Sequence, residues 1–516
     1  MKDKMKNLNY NLFLQTSDTK LAKFCEEVFS LADRHPRILE MISSDQDALG
    51  LKKKKFRLLD REYEKEKHPN LPGLPAEASA KSVEPSTLHA GRPRMRPEIV
   101  LLFMCLRGYY GSVTDKSAVE RYRDSMTLYV LFGNLNMRMP KPTTILDNLN
   151  CLTENTRSFV MRCQLNDALE LGLDDFETVV FDSTSVKASS SWPTDAGVIL
   201  RLLERAYAFS VNLDDFGVKS IPLFYLEDWF GKLKKLLFKI NTARGTKKCK
   251  KQKKLRRLYD DFLETAMKAH EYLVRQWEKR LSSVYSIDLK PSVKQALKRL
   301  ARQIEDDLLA AAGVIYYADD RMFNDVTLPA SDKILSVSDT TAAFIKKGDR
   351  NAVVGYKPQL ARSSNGFVTA IIVEKGNPAD SANLLPLTKT HAENTGVVPK
   401  FVSADDGYSS GAGRSACLDF GVEDVCLSGA VGKKITPDAL WESDAYVAGR
   451  RNRSAVESLM FTLKYVFEFG ELRRRGLENA TAEMMEEVIA YNIMRKLLLV
   501  ERLDREKIEE ELKKTA

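Results

Sequence analysis

The sequence predicts an α/β protein in which a mixed sheet is interrupted by a large all-helical insertion and preceded by a helical N-terminal region. Three observations carry this. Runs rich in β-branched and aromatic residues occur in two separate stretches, "FETVVFDSTSVKAS" after residue 173 and a second series after residue 319. Between them, from about residue 200 to 318, the apolar spacing is helical. The second series opens with a hairpin and continues as strand, helix, strand, which calls for antiparallel and parallel pairing in one sheet.

At 516 residues and 44% hydrophobic, the chain can bury a large core and is expected to form two to four domains. Lys and Arg number 80 against 71 Asp and Glu, a net charge of +9, and the basic residues are unevenly spread. No window approaches eighteen uninterrupted apolar residues. The opening "MKDKMKNLNYNLF" lacks the apolar core of a signal peptide, so a cytoplasmic protein is expected. Seven cysteines, at 25, 105, 151, 163, 249, 417 and 426, form no C-x-x-C pair, and the five histidines are isolated. Neither a disulfide framework nor a zinc site is indicated, and a metal would have to be held by carboxylates.

Residues 1–68 read as a helical region, with Leu21, Phe24, Val28 and Leu31 at helical spacing and "LKKKKFRLLDREYEKEK" as a charged continuation. Pro69, Pro72, Pro75, Pro85 and Pro93 mark residues 69–95 as an extended linker. Residues 96–172 read as short helices with breaks near Gly111, Gly133 and Pro140, Ser112 or Thr114 being a candidate cap. Short helices with small-residue turns and many arginines suit a helix-turn-helix-like DNA-binding domain, and a plain helical bundle is the alternative. The first segment of the sheet spans 173–200, the helical insertion 201–318, the second segment 319–500, and a charged tail 501–516. Within the insertion, eight of the eleven residues 247–257 are Lys or Arg. Lys247, Lys248, Lys250, Lys251, Lys253 and Lys254 are there candidate phosphate contacts, the alternative being a solvated helix face. In the second segment "KILSVSD", "NAVVGYKPQLAR" and "GFVTAIIVEKG" have strand character, the last two joined by an "SSNG" turn. A helix near 380–394 leads to the strand ending at Asp405, and after a further helix "EDVCLSG" reads as another strand.

Three acids stand out. Asp182 closes the first strand candidate, and Asp405 closes "KFVSAD" just ahead of Asp406 and Gly407. A carboxylate at the lip of a buried strand is costly without a partner, although an Asp bonding the following turn is the simpler explanation for each alone. In "RRNRSAVESLMFTLKYVFEFG", a helical advance of about 100° per residue gathers Arg453, Glu457 and Lys464 within about 40° of one face. Val456, Met460, Leu463 and Phe467 fall on the adjacent face, so this polar stripe borders a core.

Together these residues resemble the DDE transposases of bacterial insertion sequences, in the group with the signature Y-x2-R-x3-E-x6-K. Arg453, Glu457 and Lys464 fit the R-x3-E-x6-K part, and Arg450 takes the place of the tyrosine. "SADDGYSS" resembles the A-D-x-G-Y motif around the second acid, with Asp406 at the variable position. "FDSTSV" with "WPTDAG" resembles the first-acid segment, and "GYKPQLARSSNGFVTAIIVEKGNPADS" the strands between. The resemblance covers roughly residues 95 to 200 and 320 to 500.

It implies an RNase H-like catalytic core and metal-dependent DNA cleavage and strand transfer. Asp182, Asp405 and Glu457 would be the catalytic and metal-binding acids, holding two Mg²⁺ or Mn²⁺ ions roughly 4 Å apart. Arg453 and Lys464 would hold flanking phosphates of double-stranded DNA. Pairing two element ends calls for at least two chains, hence an expected homodimer on DNA, nucleoid-associated when bound. Three other readings stay open from the residues alone: an RNase H-like nuclease without strand transfer, a catalytically inactive DNA-binding derivative, and a helical scaffold.

Overall fold

The computed structural model describes residues 19–67, 94–111, 115–189, 194–243, 249–329, 333–346 and 351–515. Its elements in chain order are α1 (Thr19–Arg34), α2 (Arg37–Lys67), α3 (Pro97–Tyr109), α4 (Asp115–Asp124), α5 (Met126–Asn134), α6 (Pro142–Asn150), α7 (Glu154–Glu170), β1 (Thr178–Ser183) and β2 (Val186–Lys187). There follow α8 (Asp195–Val211), α9 (Phe224–Ala243), α10 (Cys249–Ser286), α11 (Pro291–Phe323), β3 (Ala343–Ile345), β4 (Val353–Tyr356), β5 (Gln359–Ser363) and β6 (Val368–Ile372). The chain continues through α12 (Leu384–Thr395), β7 (Phe401–Ala404), α13 (Gly411–Phe420), β8 (Asp424–Leu427), α14 (Gly429–Ile435), α15 (Asp438–Trp441), α16 (Asp444–Asn452), α17 (Ala455–Val466) and α18 (Leu477–Thr515).

Two compact units divide these elements, one built from residues before 49, 91–189 and 345 onward, the other from 49–90 and 190–344. The first unit holds a five-stranded sheet in the order β6-β5-β1-β7-β8. β1 runs antiparallel to β5, and β5 to β6, whereas β1, β7 and β8 are mutually parallel. That order and mixture of directions are consistent with an RNase H-like DDE domain. The expected hairpin and the strand–helix–strand continuation are thus both present. Helical crossovers account for the parallel half, because α12 connects β6 to β7 and α13 connects β7 to β8. Val179, Phe181, Ala361, Ala370, Val402, Ala404, Val425 and Leu427 form one buried face, covered by Leu384 and Leu387 of α12.

Helices α3 to α7, which the sequence offers as a helix-turn-helix-like domain, share this unit with the sheet. The reason is visible in α3. Pro97 opens it after extended Arg96, and Ile99 to Gly108 are buried on every side against α18, leaving α3 no solvent face. Ser112 and Thr114, the candidate caps, lie outside the described residues, as does most of the linker expected at 69–95. The break expected near Gly133 falls just beyond α5, where Asn136 takes φ 52°.

The second unit contains α8 to α11 around a core that includes Leu203, Phe230, Leu233, Phe262, Leu273, Ile304 and Leu308. Thr194 caps α8 by accepting from Gly197 N at 3.0 Å. Helices α8 to α11 lie between residues 195 and 323. "KILSVSD" is not a strand. Ser336 accepts from Asp339 N and shares a hydrogen bond with Ser338, Asp339 in turn binds Thr341, and the Val337 carbonyl accepts from Arg205, so side chains take the backbone groups a ladder would need. Its apolar residues Ile334 and Val337 pack on the helices instead. No helix among the described residues is long and apolar enough to cross a membrane.

Candidate active site

Strand register brings the first two acids side by side. Phe181 lies opposite Ala404 on parallel neighbours, so the next residues, Asp182 and Asp405, leave adjoining strand ends. Neighbouring strands are about 4.8 Å apart. Both aspartates are half-buried, and each carboxylate accepts a local backbone hydrogen bond: Asp182 Oδ1 from Ser183 N at 2.7 Å, Asp405 Oδ1 from Gly407 N at 3.0 Å. The turn-bonding explanation from sequence is therefore correct for both, and it sets two acids side by side at the ends of neighbouring strands.

Asp406 is spent differently. It reaches across to α14, where its Oδ1 accepts from Gly432 N at 2.9 Å and Val431 N at 3.0 Å, and from the Ser409 hydroxyl at 3.1 Å. Burial alone would raise its pKa, but these donors outweigh it and hold the carboxyl below the usual range. Gly429, at φ +96°, makes room, since a Cβ there would lie 2.4 Å from Asp406 Cγ. Of the two neighbours, Asp406 is the helix cap and Asp405 the one that faces Asp182.

Glu457 lies in the first turn of α17, which packs against β1, and its side chain is 72% exposed. The helix expected to carry the whole triplet is broken ahead of it, because the chain turns at Arg453 and Ser454 between α16 and α17. Arg453 still sits near Glu457, 3.9 Å away, and Lys464 is half-buried two turns on. Val456, Leu459 and Leu463 form the buried face, while Phe461 and Tyr465 face solvent. Arg450, in the place of the signature tyrosine, stacks 3.9 Å above the Trp441 ring and donates to its carbonyl at 2.8 Å. That ties it to local packing.

Sequence reasoning missed Asp380. It lies beside Asp405: a Cβ placed on Gly407 would be 3.0 Å from Asp405 Oδ1 and 3.2 Å from Asp380 Oδ2. Asp380 accepts from Lys357 Nζ at 2.9 Å and from Gln359 Nε2 at 2.7 Å. The phenol of Tyr408, buried beneath, is pushed well above its ordinary pKa by burial and then by the negative charge of Asp380, Asp182 and Asp405. A lone acid in the loop "NPADS" shows no periodicity that would have marked it.

Hard carboxylate oxygens on adjoining strand ends fit a divalent ion in donor chemistry. Among the described residues no group of three or more Asp, Glu, His or Cys is gathered as a ligand set, and Glu457 stands apart from the two aspartates as an exposed side chain. Of the basic run, Lys247 and Lys248 lie outside the described residues. Lys250 and Lys251 fall in the first turn of α10, their side chains undescribed, and Lys253 and Lys254 are exposed.

No curated protein and no solved structure matches the chain. Residues 332–493, which include β4 to β8, Asp405 and Glu457 but not Asp182, match the family model described as the transposase DDE domain. The later strands of the sheet and Asp405 thus fall inside a stretch that is similar to the transposase DDE domain, while β1 and Asp182 lie ahead of it.

Proposed function

We propose that this chain is a DNA transposase that binds the ends of an insertion sequence, cleaves them and joins them to target DNA. The observation that carries the reading is the meeting of Asp182 and Asp405 on adjoining strand ends of a sheet whose later strands match the transposase DDE domain. When bound between these acids, Mg²⁺ or Mn²⁺ supplies a Lewis acid that sharpens the attacking oxygen and stabilises the leaving one. Asp182 and Asp405 would hold the ions from adjoining strand ends. Glu457, exposed on α17 beside Arg453, would be the third acid able to hold an ion once DNA is bound. Arg453 and Lys464 then hold the phosphates flanking the scissile bond, and their charge favours ionised carboxylates. Two chains act on a pair of ends, since one site can hold one scissile phosphate at a time.

The direct test uses a fragment ending in the element's terminal repeats, a supercoiled target and Mg²⁺. Joined products in a complex of two chains per pair of ends are expected. Nicks without joining would reduce the reading to a nuclease, and bound but uncut ends to a DNA-binding derivative. The basic start of α10 is assigned to phosphate contacts in the same complex. Neutralising Lys250, Lys251, Lys253 and Lys254 should weaken binding to all sequences alike and flatten the salt dependence by about one counterion per lost contact. An unchanged slope returns the segment to a solvated helix face.

A further inference from the structure

Around Asp405 lies a chain of polar side chains that the proposed chemistry does not touch. Gln359 is buried, and both ends of its amide are committed: Nε2 donates to Asp380 at 2.7 Å and Oε1 accepts from the Tyr408 hydroxyl. Asp380 is held in turn by Lys357, whose ammonium also donates to the Pro378 carbonyl at 3.0 Å. A buried amide or phenol left without its partner costs about 1–3 kcal/mol, so Lys357, Asp380, Gln359 and Tyr408 favour one joint arrangement.

The ends of this relay sit beside the two aspartates. Gln359 faces Ser183 across the β1–β5 ladder, one residue beyond Asp182. Tyr408 closes the 3₁₀ turn that starts after Asp405, and its ring packs 6.4 Å from that of Phe181. The parallel pairing of β1 with β7 stops at Phe181 and Ala404, short of the acids. Beyond that point two like charges repel, and the bond from Tyr408 to Gln359 ties the turn carrying Asp405 back to the strand paired with Asp182.

We infer that Gln359 and Tyr408 are positioning residues, which fix the separation of the Asp182 and Asp405 carboxylates and thereby set how tightly the pair takes a divalent ion. The inference rests on the reading of those two acids as the ion-binding pair. Neither residue touches substrate. Each acts by holding the turn after β7 against β5.

The test measures binding and needs no turnover. Mn²⁺ is titrated into the full chain and the free ion is followed by its electron paramagnetic resonance signal. Tyr408→Phe keeps the ring and removes only the hydroxyl; Gln359→Met keeps the volume and removes the amide. Each should weaken Mn²⁺ affinity about tenfold, the low end of what changes in the hydrogen bonds around a metal site cost elsewhere. The double variant should lose less than the sum of the two single losses, because Gln359→Met already breaks the bond that Tyr408→Phe removes. A lowered unfolding temperature with unchanged Mn²⁺ affinity would make the relay structural only and overturn the proposal, as would fully additive losses. Asp405→Asn separates the two levels of argument. If it binds Mn²⁺ as the wild type does, the reading of the acid pair fails and the positioning role falls with it. If it alone loses the ion while Tyr408→Phe and Gln359→Met keep full affinity, the pair stands and the relay does not.

Discussion

Asp182→Asn and Asp405→Asn should each lower the rate of end cleavage by about 10³-fold or more while end binding stays within a few-fold. The expectation follows from charge. Amide oxygen keeps the shape of the site and the local hydrogen bond from Ser183 or Gly407, but removes the negative charge that would hold an ion of charge +2. The several kcal/mol that such an ion contributes to a phosphoryl transition state corresponds to about three powers of ten, at about 1.4 kcal/mol for each. Asp406→Ala is the control, because it lies next to Asp405 and yet is spent on α14. Its loss should cost about 1 kcal/mol of stability, as for a lost helix cap, and leave cleavage within a few-fold. Cleavage retained in Asp405→Asn and lost in Asp406→Ala, in a plasmid nicking assay, would show that the wrong neighbour has been assigned.

How much of this was legible in the sequence depends on the range of the forces involved. Asp182 and Asp405 could be found because each ends an apolar run, and strand ends are marked locally. Their meeting is a matter of register, and register follows from which strands pair, which no local pattern states. Asp406 looked interchangeable with Asp405 until α14 was in place, since its partners lie 25 and 26 residues away. In the sequence Gln359 belongs to a strand and Tyr408 to a motif, and nothing local links them, because their bond crosses 49 residues. "KILSVSD" went wrong for the opposite reason: its apolar alternation fits a strand, but its serines and Asp339 bind each other and its own backbone. The helix carrying Glu457 was legible in its apolar spacing, while the turn at Arg453 and Ser454 that splits it from α16 was not.

The same limit hid the strongest charge cluster in the fold, and with it the largest expected loss of stability. Glu486, on the stretch of α18 that reads "EMMEEVIAYN", is 1% exposed and accepts from Arg107 at 2.6 and 2.7 Å, from Arg157 at 2.9 Å and from Arg474 at 2.5 Å. Burial alone would raise its pKa, but the guanidinium groups of Arg107, Arg474 and Arg157 outweigh this and hold the carboxyl well below the usual carboxylate range. Glu486→Ala leaves two buried cations, Arg107 and Arg157, and the partly buried Arg474 without their shared anion, which should cost about 3–5 kcal/mol. Against a total of about 5–15 kcal/mol for a folded domain, that is enough to open α3 and α18 readily. Amide exchange in these two helices should accelerate about 10²- to 10³-fold, and exchange in the helices of the second unit should not change. The sign with pH follows from the depressed pKa. Stability contributed by Glu486 is present above the unfolded value near 4.3 and is lost as pH falls below it toward the folded one. Glu483, pushed up by burial, acts in the opposite sense, so the comparison is made between wild type and Glu486→Gln at each pH. The gap in protection should be widest at neutral pH and narrow steadily below pH 4. A gap independent of pH, or equal exchange in the two proteins at pH 7, would mean that the three arginines hold these helices without their common carboxylate.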